Sequence, residues 1–254
     1  MRPWLGGERS LARLNALAEE RRLATESGRP VRFVAPGAKD AYYEVQVYET
    51  GRVQTRPDSL HDYFNAMAWL AFPRTKARIN AMHAAQIPLE GGRRGRLRDL
   101  LTILDEGGAI VHCDDPALRS LLRNFEWKKL FWENRERVRQ AMRVVVLGHA
   151  VLEQALEPYL GITCKSILVA AASDSDAAAH AWLQDVGPDA SPRMLAPLPV
   201  FGLPGWHPGS AAAEFYDQQR YFRPPAVKCP LESARQPLGA STEESPGSAE
   251  RDAG

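Results

Sequence analysis

Residues 59–85 read SLHDYFNAMAWLAF followed by PRTKARINAMHAA. Ser59 with Asp62 three positions on is a capping-box pattern, which predicts a helix from Ser59 to Phe72. Pro73 stops that helix. It can also open a second one, Arg74 to Ala85, because a first-turn residue has no intrahelical use for its N–H. On the first helix His61, Asn65 and Trp69 share a face at spacings of four, while Leu60, Phe64, Met67 and Ala71 line another. Little of its surface is left for solvent, so it should be buried nearly all round. On the second helix Lys76, Asn80 and His83 share a face. A Pro-led corner would bring the two polar faces together, and such a set resembles a small acid/base or metal site.

Working outward, Leu11, Leu14, Leu17 and Leu23 with charges between them predict an amphipathic helix over 8–27, starting near Ser10. Residues 31–34 and 42–48 read as strands, the second with visible alternation and a turn at Thr50-Gly51. Residues 91–96 form a basic Gly-rich loop. Leu100 to Leu104 and Ala109 to Cys113 then suggest a hairpin around Asp105-Glu106-Gly107-Gly108. From Pro116 to Leu156 the pattern is helical, with a strand-to-helix change left open at Gly148 by the run Val144 to Val146. Asp174 to Val186 reads as a further helix. Eight prolines between 188 and 225, mixed with Phe201, Trp206, Phe215, Tyr216, Tyr221 and Phe222, predict an ordered, irregular wrap.

The expected organisation is an N-terminal helical arm over 1–30, a single globular domain over 31–225 and a disordered tail over 226–254. The expected fold is α+β: a helix-rich domain around a small, partly antiparallel sheet.

The chain has 254 residues, 32 Lys+Arg against 31 Asp+Glu, and 44% hydrophobic residues. Those values fit a globular chain and exclude collagen-like and wholly disordered classes. Near-neutral charge argues against a nucleic-acid partner. The balance is local, however: residues 52–98 hold nine basic and three acidic residues, a net of +6, and residues 99–118 hold five acidic and none basic, −5. A small anionic ligand near 76–98 is therefore an open expectation. With no apolar run long enough for a bilayer and no leader pattern, the expected setting is cytoplasmic, without a membrane. Cys113, Cys164 and Cys229 make no C-x-x-C pair, which argues against a disulfide scaffold.

His149 and Glu153, four apart on a helix, suit a shared metal or a carboxylate that orients an imidazole. Asp105-Glu106 is explained by turn chemistry unless its tip folds over the cluster. Arg93, Arg94, Arg96 and Arg98 could grip phosphate, although a solvated loop explains them as well. The Gly202-to-Gly209 loop presents Trp206, either to a pocket or to the core. Walker A, G-x-G-x-x-G, H-E-x-x-H and G-x-S-x-G signatures are absent.

In this order, Tyr43-Glu44, Glu49-Thr50-Gly51, His61-Asp62-Tyr63-Phe64-Asn65, Trp69 to Lys76, Arg98-Asp99, Asp105 to Gly108, Gly148-His149-Ala150 with Glu153, Pro204-Gly205-Trp206 and Phe215-Tyr216-Asp217 resemble the proteobacterial domain-of-unknown-function family numbered 3025. The resemblance covers roughly residues 30–225. It implies one integral domain and brings no activity, cofactor or partner with it.

Two readings follow. In the first the chain is a metal-assisted hydrolase acting on an anionic, phosphoester-like substrate. His61, His83, His149 and a carboxylate, Asp105 or Glu153, would bind a divalent ion, with Asn65 and Asn80 beside it. Lys76 or Arg98 would hold the anion, and Trp206 would line the substrate. In the second the chain is a non-catalytic binding or scaffold protein whose buried polar residues are structural. A weaker third, a nuclease, rests on the order His61, Asn80, His83 and lacks the hairpin that such enzymes place before the helix.

Overall fold

The computed structural model describes residues 11–37, 42–91 and 93–224. The helix start near Ser10, Cys229 and the 226–254 segment lie outside them.

The first elements are α1 (Leu11–Glu20), β1 (Arg32–Val34), α2 (Tyr43–Thr50) and β2 (Arg52–Gln54). β1 and β2 pair in parallel with Phe33 opposite Val53. Leu14, Ala18, Phe33, Val47 and Val53 pack there with Trp69 and Leu70. Residues 43–50 are thus helical, where the alternation predicted a strand. Gly51 ends the helix in the left-handed region at φ 72°, its N–H donating to Val47 O. A Cβ at Gly51 would stand 2.1 Å from Pro30 O, so the chain can turn back toward β1 only with glycine here.

α3 (Leu60–Ala71) begins at Ser59, whose Oγ accepts from Asp62 N at 3.1 Å, as the capping pattern predicted. α4 (Pro73–Gln86) starts on Pro73. Its N-cap residue Phe72 offers no side-chain acceptor, and Asp176 from a distant helix takes the Arg74 and Thr75 N–H groups instead, at 3.0 and 2.8 Å.

The predicted hairpin at 100–113 is instead a helix running into a strand: α5 (Arg96–Gly107), then β3 (Gly108–His112). The reason is in the spacing. Leu97, Leu100, Leu101 and Leu104 recur at three and four and are all buried, an amphipathic stripe rather than a strand. Gly108 makes the abrupt junction feasible, since a Cβ there would lie 2.1 Å from Leu104 O.

The 116–156 segment is not one helical run. It divides into α6 (Pro116–Arg123), a π-helical turn Lys129–Glu133, α7 (Arg135–Ala141), β4 (Arg143–Val146) and α8 (His149–Gln154). The β-branched run Val144 to Val146 pairs antiparallel with β3, and Gly148 marks the change to helix. β5 (Thr163–Val169), α9 (Ser175–Gln184) and β6 (Ala196–Pro199) follow. The main sheet has the order β4-β3-β5-β6, with β3–β5 parallel and both outer pairs antiparallel. Its two faces serve two cores. Ala109 and Val111 pack with α6, the π-turn and the aromatic C-terminal wrap, while Ile110 packs with α5 and α9. The architecture is a helix-rich α+β domain around a small, partly antiparallel sheet.

Candidate functional site

α3, α4, α5 and α8 each bring one to three polar side chains to a common interior. α3 carries His61 and Asn65, and α4 carries Lys76, Asn80 and His83. Asp105 comes from the last turn of α5, and His149 and Glu153 from α8. Two glycine junctions bring Asp105 and His149 together. A Cβ at Gly148 would stand 2.5 Å from both Glu106 O and Gly108 N, and Gly148 N donates to Gly108 O at 2.9 Å. The end of α5 and the start of α8 touch backbone to backbone.

The side chains form one connected string. Lys76 Nζ donates to Asn65 Oδ1 at 2.8 Å and forms a close ion pair with Asp105. The other Asp105 oxygen is 3.7 Å from His149 Nδ1. Nε2 of His149 lies 3.1 Å from Nε2 of His61, and His61 Nδ1 lies 3.1 Å from Glu153 Oε2. The Lys76 and His149 side chains are 5% exposed, whereas those of His61 and Glu153 are each 40% exposed. The string therefore runs from a buried ion pair to the surface.

Protonation states follow from this setting. Burial drives His149 down to about 4, so its imidazole is neutral and keeps a free lone pair. Burial works against the Asp105 carboxylate, but the Lys76 ammonium and His149 outweigh it and hold its pKa below the ordinary value.

The two Nε2 atoms, 3.1 Å apart, fit an N–H···N hydrogen bond, and the same spacing lets both reach one ion at about 2.1 Å. The ring centroids are 4.6 Å apart with the planes at 71°. His61 Nδ1 bonds the Glu153 carboxylate, whereas His149 Nδ1, 3.7 Å from Asp105, is buried without a hydrogen-bond partner among the described residues. The carboxylate behind His61 matches the outer-shell pattern of metal-bound histidine.

Other expectations fare differently. Among the described residues no three His, Cys, Asp or Glu side chains are grouped so as to hold an ion. The proposed set of His61, His83, His149 and Asp105 thus contracts to a pair of imidazoles. Asp105 has one oxygen paired with Lys76 and the other 3.7 Å from His149 Nδ1, on the side of the ring away from His61. His83, a turn beyond Asn80, accepts from Arg98 Nε at 3.3 Å, and burial lowers it to about 4. Lys76 and Arg98, expected to grip an anion, are both paired, Arg98 with Glu90 at 3.0 Å. Asn80 donates to Glu44, at 2.8 Å to its carbonyl and 2.6 Å to its carboxylate. Trp206 is 46% exposed on its loop, and none of its recorded contacts reaches the cluster.

Tyr43 and Glu44 were missed as site residues. With Asn65, Trp69, Lys76, Asn80 and Asp105 they line an internal space of about 20 Å³. Tyr43 is 38% exposed as a whole, but its hydroxyl end and the Glu44 carboxyl face inward, and loss of water raises the pKa of both, with the Glu44 charge adding to the rise at Tyr43. Read as a strand, 42–48 would send these neighbours to opposite faces. On a helix both reach the same space.

No curated protein and no solved structure matches the chain. Its sequence matches the family described as "Protein of unknown function (DUF3025)" over residues 31–226, and the chain belongs to that family.

Proposed function

We propose that the chain is a divalent-metal-dependent hydrolase whose ion is held by His61 and His149. The observation that carries this reading is the pair of Nε2 atoms 3.1 Å apart, with the Glu153 carboxylate bonded to the far nitrogen of the half-exposed His61. Catalytic zinc sites usually have three protein ligands, so two imidazoles leave one more position than usual to water and substrate. When bound, such an ion supplies an activated water and polarises a substrate oxygen.

The residues of the chain divide the remaining work. Glu153 accepts from His61 Nδ1, fixing the tautomer that leaves Nε2 free to ligate. Asp105, anchored by Lys76, stands 3.7 Å behind His149 Nδ1 and supplies negative charge there. These are positioning residues, and Asn80 with Glu44 holds α2 against α4 beside them. The half-exposed His61 and Glu153 mark the side from which substrate approaches. Preference for an anionic, phosphoester-like substrate rests on the charge of the ion, because Lys76 and Arg98 are already neutralised.

The test is hydrolysis of bis(p-nitrophenyl) phosphate by the full chain with Mn²⁺ or Zn²⁺. The reading expects metal-dependent turnover that falls at least 100-fold in His61→Ala while the fold persists. Alanine variants that lose stability without any metal-dependent activity to lose would favour the scaffold reading, in which the string only pins the helices.

A further inference from the structure

A cleft of about 640 Å³ lies away from the histidine string, where the β5–β6 edge meets the C-terminal wrap. Its size is that of a small-molecule site. Phe125, Trp127, Tyr221, Leu160, Pro197 and Pro199 give it apolar walls. Trp127 and Tyr221 are rigid wall elements. Trp127 Nε1 donates to Arg223 O at 2.8 Å and Tyr221 OH donates to Ile162 O at 2.8 Å, so neither ring is free to fold away. Phe125 holds φ at 60°, a region that bulky residues seldom adopt, and stands edge-to-face with Trp127 at 5.5 Å.

Three cations line the same cleft, Lys165, Arg220 and Arg223, and no Asp or Glu does. Among the described residues none of the three has a carboxylate within ion-pair distance, unlike Lys76 and Arg98 in the interior. Uncompensated guanidinium groups over a fixed aromatic wall suit a ligand with a flat apolar body and one anionic group.

We propose that this cleft binds a small aromatic anion, its ring against Trp127, Phe125 and Tyr221 and its acidic group between Arg220, Arg223 and Lys165. The site is independent of the histidine pair and needs no metal.

A dye pair tests it on the full chain. 1-Anilinonaphthalene-8-sulfonate carries the ring and the anion, and N-phenyl-1-naphthylamine carries the ring alone. Arg220 and Arg223 are exposed, so R220Q/R223Q leaves the core untouched. The sulfonate dye should bind one per chain, at least 10-fold tighter than the neutral dye. R220Q/R223Q should erase that preference at unchanged Tm, while H61A leaves it intact. Equal affinity for the two dyes, no binding of either, or an R220Q/R223Q protein that keeps the preference would overturn the proposal.

Discussion

Glu153 never touches the proposed ion, yet its removal should be felt there. Replacing it by Gln keeps the shape and weakens the acceptor behind His61 Nδ1. The expected result is a 10- to 100-fold loss of divalent-ion affinity, read by calorimetric titration, with Tm little changed because the side chain is 40% exposed. The Lys76–Asp105 pair is a different case, since both partners are largely buried. Asp105→Ala strands an ammonium in the interior and should cost roughly 3–5 kcal/mol in urea unfolding. The double variant Lys76→Met/Asp105→Leu removes both charges and should recover most of that loss. A double variant as unstable as the single one would show that the pair does more than neutralise itself. At this scale the sequence was informative: His61, Asn65 and Lys76 on 59–85, and His149 and Glu153, all belong to one string of contacts. It could not say that Glu153 would turn to His61 rather than to its helix neighbour His149, because that depends on how α8 lies against α3.

Elements are coupled through their ends. α4 has no cap of its own, and the Asp176 carboxylate from α9 serves its first two N–H groups. Asp176→Ala should therefore destabilise the fold by about 2–3 kcal/mol, more than an exposed cap, because two bonds to a buried carboxylate are lost together. Chemical denaturation of Asp176→Ala beside Asp176→Asn would check this, with Asn retaining part of the stability. The misread elements have physical explanations too. Tyr43 to Tyr48 alternates like a strand, but only Val47 is buried along α2, so the alternation was not reporting a sheet face. At 96–107 the leucine stripe is helical throughout, and the glycine pair after it mimics the signal of a turn. Gly108 in fact allows a helix to pass into a strand without a loop. β5, buried on both faces in the middle of the sheet, shows no alternation that would have announced it.

For the molecule as a whole, acid sensitivity follows from histidines buried in the neutral state. His83 sits at about 4 in the folded chain against an ordinary 6.5, with burial as the main cause; Arg98, Arg94 and Lys76 act in the same direction and Asp105 against it. The unfolded chain takes up this proton first, so the contribution to stability is full above about pH 6.5. It is lost as pH falls toward 4, and below that it is constant. Unfolding midpoints in chelator from pH 7.5 to 4 should decline over that window, and His83→Gln should flatten the decline. An unchanged slope in the variant would remove His83 as the cause.

The most direct measurement concerns the imidazole pair itself. Chelator-stripped full-length protein titrated with Zn²⁺ in a calorimeter should take up one ion per chain at a site absent from both His61→Ala and His149→Ala. Zinc binding of the same stoichiometry and affinity in either variant, or no binding by the parent chain, would contradict a metal centre at His61 and His149.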